Sequence, residues 1–172
     1  MLEYLPTLID PRHLAFQGYK LKGRVMLAQM FRLHEYLCEG AKGEVEIDWL
    51  FATDEQKRPI IKGSMQTELP MLCQRCLQTM LWPIDIKVAL MMLPKGQTEN
   101  DLPKNYEALT LTSPAVPLIT LIEDELILAL PIMVLHTTCS SNKYQLPNNL
   151  VEEENIFPNN PFSILSKLKV EK

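Results

Sequence analysis

The residues best suited to chemistry in this chain are two cysteines with two residues between them, Cys73-Gln74-Arg75-Cys76. That gap lets two thiolates reach one metal ion from a single tight turn. A second pair with the same gap, His136-Thr137-Thr138-Cys139, lies further along, with fifty-nine residues between the halves. Together Cys73, Cys76, His136 and Cys139 make a Cys₃His set, a normal complement for structural zinc. Such a set is closed and sulfur-rich, whereas a catalytic zinc keeps an open position. If the set is real, its ligand atoms cluster within about 4 Å of one another, whether or not a metal is bound. Two other readings stay open. A redox pair needs a thiolate of lowered pKa, and the adjacent Arg75 favours one. However, no thioredoxin-like βαβ pattern surrounds the motif. The third reading is that the cysteines are small apolar residues used in packing.

The remaining candidates are weaker. Glu123, Asp124 and Glu125 are consecutive in a helical stretch. Neighbours on a helix diverge by about 100°, so these carboxylates do not converge as an acid–base pair. Glu125 shares the apolar face and is expected to pair with a buried cation or backbone donor. Cys38 ends an apolar stripe and is read as packing, and His13 and His34 are isolated. Six glycines leave little from which to build a phosphate-binding loop. With no nucleophile–base arrangement either, the chain is expected not to be an enzyme.

The elements that must position these residues follow from periodicity. Asp10-Pro11 opens a short helical turn, with an N-cap acceptor and then Pro at the first position. Residues 19–25 look extended. Residues 26–37 carry Met26, Leu27, Met30, Phe31, Leu33 and Leu37 at three- and four-residue spacing, which predicts a helix. From Glu44 the period changes to two: Val45, Ile47, Trp49 and Phe51 oppose Glu44, Glu46 and Asp48. Ile61, Met65 and Leu69 continue the pattern, and then Met80, Trp82, Ile84, Ile86, Val88, Leu90 and Met92. Three consecutive runs of this kind predict an antiparallel meander over about residues 44–93, with Cys73 and Cys76 in its second connection. Pro83 marks an edge or a bulge. A proline-rich loop follows, with a short strand at Ala108–Leu111. Residues 118–130 read as a helix with Leu118, Leu121, Ile122, Glu125, Leu128 and Ala129 on one face, closed by Pro131. The fold class expected is α+β: the meander packed against the helices of 26–37 and 118–130. Residues 1–140 form one domain in this reading, and 141–172 a flexible polar, acidic tail ending in a short amphipathic helix.

At 172 residues and 47% hydrophobic, the chain can bury one substantial core. A formal charge of −4 argues against broad electrostatic coating of nucleic acid. The N-terminus has no basic n-region followed by an apolar run, so no signal peptide is expected, and no stretch reaches the length of a membrane span. A reduced, cytoplasmic protein is the simplest expectation.

Cys-Gln-Arg-Cys after a strand, Glu-Asp-Glu-Leu-Ile-Leu-Ala-Leu-Pro in a helix and Asn-Pro-Phe-Ser-Ile-Leu-Ser-Lys-Leu-Lys at the end stand in a fixed order. In that order and spacing the chain resembles the YceD family, the large ribosomal RNA subunit accumulation proteins. The resemblance runs from Leu5-Pro6-Thr7-Leu8-Ile9-Asp10-Pro11 to the terminal segment. It implies a non-enzymatic factor that supports accumulation or processing of large-subunit ribosomal RNA, bound to precursor RNA, to a basic ribosomal protein, or to both. Alternatives are a zinc-dependent RNA-processing enzyme and a protein-only adaptor. Against that background Arg75 is a candidate phosphate contact. Residues 1–42 and 161–172 each carry a net +2, and residues 96–126 a net −5. The acidic Glu123 and Asp124 are therefore candidates for a basic protein partner, and Asn160, Pro161, Phe162, Lys167 and Lys169 for RNA or partner contact. No cofactor beyond a structural zinc is expected.

Overall fold

Alternation of apolar and polar residues makes the strands, and the strands set everything else. In the computed structural model, which describes residues 5–93 and 102–139, β2 (Lys20–Met26), β3 (Glu44–Thr53), β4 (Pro59–Leu72), β5 (Thr79–Leu93) and β6 (Glu107–Thr110) form one sheet in that order. The pairs from β2 to β5 are antiparallel, and β6 runs parallel to the end of β5. A small second sheet pairs β1 (Leu8–Ile9) with β7 (Val116–Pro117). Among the described residues two α-helices complete the α+β fold, α1 (Pro11–Gln17) and α2 (Leu118–Leu128).

Register places the apolar rows together. Ile47 lies opposite Met65, and Met65 opposite Ile86; Leu69 lies opposite Trp82. Val45, Trp49, Phe51, Ile61, Met65 and Leu69 are fully buried. They belong to one core cluster with Ala15 of α1 and with Leu118, Leu121, Ile122 and Leu126 of α2. On the other face charges alternate across strands: Lys20 and Lys22 pair with Asp48, and Arg24 with Glu44 and Glu46. Gly63 sits opposite Trp49 in mid-sheet, and a Cβ there would fall onto the carbonyl oxygen of Asp48. The close approach of β3 therefore requires glycine.

Helix α1 follows its local signals. Asp10 Oδ1 accepts the backbone N–H of His13, Pro11 opens the first turn, and Gly18 closes the helix in the left-handed region at φ 66°.

The helix expected over residues 26–37 does not form. That stretch holds two short 3₁₀ turns, Leu27–Gln29 and Leu33–Tyr36. The reason lies in the spacing: Leu27, Met30 and Leu33 are fully buried and three apart, the row that a 3₁₀ turn aligns. Met26 and Phe31, which a full α-helical stripe would bury, are exposed. Neither turn has a side-chain N-cap, and Gly40 follows with φ 69°. The helical partners of the sheet are thus α1 and α2, not residues 26–37 and α2. Every described residue falls within one compact unit that ends at Cys139. The acidic stretch and amphipathic helix expected after residue 140 lie outside the described residues, as do Asn160, Pro161, Phe162, Lys167 and Lys169.

Candidate metal centre

The connection between β4 and β5 is a compact knuckle. Cys73 N–H donates to the Gln78 carbonyl at 2.9 Å, and Leu77 N–H to the Cys73 carbonyl at 2.9 Å. Leu77 takes the left-handed conformation, φ 56°, that reverses the chain. The second half arrives from α2. After the helix the chain passes Pro131, buries Val134, and lays its backbone beside the knuckle: Gln74 N–H donates to the Val134 carbonyl at 2.9 Å. That contact carries His136 and Cys139 to Cys73 and Cys76.

The four ligand atoms lie within 4.8 Å of one another. Cys73 Sγ is 3.8 Å from Cys139 Sγ, and Cys76 Sγ is 3.3 Å from His136 Nδ1. Bonds of about 2.3 Å to sulfur and 2.0–2.1 Å to nitrogen, arranged tetrahedrally, put two sulfurs about 3.8 Å apart and a sulfur and nitrogen about 3.6 Å apart. The nearest pairs therefore have the separations that a shared zinc requires, while the widest is somewhat longer than the 4 Å expected from sequence. The sulfurs are too far apart for a disulfide, whose bond is about 2.05 Å, and all four cysteines are free.

The electrostatics favour a bound cation. Burial pushes the Cys73 thiol up, but the backbone N–H groups of Cys76, His136 and Arg75 turned toward its sulfur outweigh that and bring its pKa down to about 5. His136 N–H lies 3.4 Å from Cys73 Sγ. Cys76 moves the other way, raised first by burial and further by the neighbouring Cys73 and Cys139. Sulfurs crowded this closely cannot all be thiolates without a positive charge among them.

Arg75 is turned into the cluster. Its Nε donates to Cys139 Sγ at 2.9 Å and its Nη2 to the His136 carbonyl at 2.9 Å. Cys38, read as packing, lies in the loop after the second 3₁₀ turn, its N–H donating to the Pro70 carbonyl of β4 and its Sγ 3.5 Å from Thr79 Oγ1 of β5.

Glu123 and Asp124 are brought together elsewhere, on Arg32. Glu123 Oε2 accepts Arg32 Nε at 3.0 Å, while its Oε1 accepts the backbone N–H groups of Arg32 at 2.6 Å and Leu33 at 3.0 Å. Asp124 Oδ1 accepts Arg32 Nη2 at 2.6 Å. The buried, paired acid is therefore Glu123 and not Glu125, which the sequence had assigned to a buried partner. Arg32 itself was missed, because no local pattern ties it to an acid ninety-one residues away.

Comparison with known proteins adds the family. A family model described as "Large ribosomal RNA subunit accumulation protein YceD" matches residues 61–169. The chain belongs to this family. A protein of Haemophilus influenzae (strain ATCC 51907 / DSM 11121 / KW20 / Rd) carrying the same description is 28% identical over 168 residues, covering 96% of each chain. No solved structure matches. The span matched by the YceD model takes in all four candidate ligands, α2 and the terminal Asn160-Pro161-Phe162 segment. Among the described residues no helix is long and apolar enough to cross a membrane.

Proposed function

We propose that the chain is a non-enzymatic ribosome-biogenesis factor, acting in the cytoplasm, that supports accumulation or processing of large-subunit ribosomal RNA by binding pre-ribosomal RNA, a basic ribosomal protein, or both. Membership of the YceD family carries this reading. The zinc site is part of it, as structure and not as catalyst. Cys73, Cys76, His136 and Cys139 would hold the ion and tie the β4–β5 knuckle to the chain after α2. Bound zinc supplies a cross-link that closes a long loop, a closure that otherwise costs chain entropy. Four protein ligands leave no open position for substrate, the condition of a structural rather than a hydrolytic zinc.

The contact surface is proposed in the terminal segment, at Asn160, Pro161, Phe162, Lys167 and Lys169, and at Asp124, whose side chain is about half exposed beside Arg32. Co-sedimentation tests the reading. The chain should travel with large-subunit precursor particles in a sucrose gradient. Release after mild nuclease treatment indicates RNA-dependent binding; retention indicates a protein partner. Failure to associate with such particles in either condition would reject the proposal.

A further inference from the structure

We infer that Arg75 is a positioning residue of the Cys₃His centre, with the Nε–Nη2 edge of its guanidinium committed to the metal site. The inference rests on the zinc reading above and deepens it. Two kinds of donor neutralise the cluster's sulfurs, and they are unequally distributed. Cys73 Sγ is served by backbone N–H groups from both halves of the site. Cys139 Sγ, on the second half, is served among the described residues by the Arg75 guanidinium at 2.9 Å. The same side chain reaches the His136 carbonyl through Nη2 at 2.9 Å. Arg75 thus spans the two halves with a two-pronged contact, one prong on a ligand atom and the other on the backbone of a second ligand.

The chemistry explains why arginine suits this position. Zinc with three thiolates and one neutral imidazole carries a net charge of −1. A guanidinium on one sulfur brings the assembly to neutrality, and the planar fork fixes Cys139 and the His136 backbone together. Lysine supplies the charge as a single point and cannot hold both acceptors in that geometry. Partners of this kind orient metal ligands, and their loss typically weakens metal affinity about 10–100-fold. The Nε–Nη2 edge of the guanidinium is thereby taken up by the metal site.

The test is zinc affinity of the full chain, read by competition with a chromophoric chelator, for the natural protein, Arg75→Ala and Arg75→Lys. Thermal unfolding of each metal-stripped protein runs alongside. The expected result is affinity about 10–100-fold weaker in Arg75→Ala, with Arg75→Lys recovering only part of the loss. The metal-stripped proteins should unfold at similar temperatures, which separates a role at the metal from a general structural one. Zinc bound equally well by all three proteins would overturn the role of Arg75 while leaving the zinc site intact. An equal drop in stability of the metal-stripped Arg75→Ala protein, with affinity unchanged, would also overturn it. A natural protein that takes up no zinc would overturn the zinc reading itself, and this inference with it.

Discussion

Glu123 holds two elements together with one carboxylate. It lies on α2 with its side chain 8% exposed, pairs with Arg32, and caps the backbone N–H groups of Arg32 and Leu33 where the second 3₁₀ turn begins. Its removal leaves two backbone donors, one buried and one part-buried, unpaired beside a cation. Glu123→Ala is therefore expected to destabilise the fold by about 2–4 kcal/mol, the range for breaking a partly buried pair. Asp124→Asn removes a contact whose partners are both about half exposed, and should cost less than about 1 kcal/mol. Urea unfolding of the two variants checks the contrast, and equal losses would contradict it. The contact raises the affinity of the Arg32 guanidinium for its proton, through Asp124 first and Glu123 second. From the sequence these acids looked like partner-binding groups, because their exposure and their partner depend on a chain segment far away.

At the scale of elements, helix α2 shows what periodicity resolves and what it leaves open. Leu118, Leu121 and Ile122 are buried as the helical period requires, but the buried face continues through Glu123 and Leu126, while Leu128 is 74% exposed. The period fixed the helix; toward its far end Glu123 is turned inward onto Arg32. Glu125 consequently sits half-buried near Glu107 of β6 and beside Asp124. Burial, with repulsion from Glu107 and then Asp124, raises its pKa from 4.5 to about 7. The sign follows: the folded state holds a proton that the unfolded state releases, so this group favours folding at low pH. Its contribution declines as pH rises from about 4.5 through 7. Glu125→Gln should thus stabilise the chain at pH 8, by no more than about 1 kcal/mol at so solvated a position, and leave stability near pH 4 unchanged. Thermal unfolding at the two pH values measures it; equal effects at both would contradict the account. The strands were more legible than the turns. Alternation in β3, β4 and β5 identified their buried faces because side chains change sides at every residue. The stretch 26–37 misled because spacings of three and four serve a 3₁₀ row and an α-helical stripe alike.

For the whole molecule, the Cys₃His cluster joins the two ends of a long excursion of the chain, from the β4–β5 knuckle through β5, β6 and α2 and back. The two-residue gaps made the ligands legible, since ligand spacing is a local property. Arg75's inward orientation was not legible, since a side chain in a turn can face solvent or a neighbour with equal ease. The most direct test is X-ray absorption at the zinc edge on the full chain purified without chelator. The account predicts one zinc per chain, with a coordination shell of three sulfurs and one nitrogen, changing to fewer sulfurs or disappearing in Cys73→Ser. A chain that binds no zinc, or a shell rich in oxygen, would contradict it.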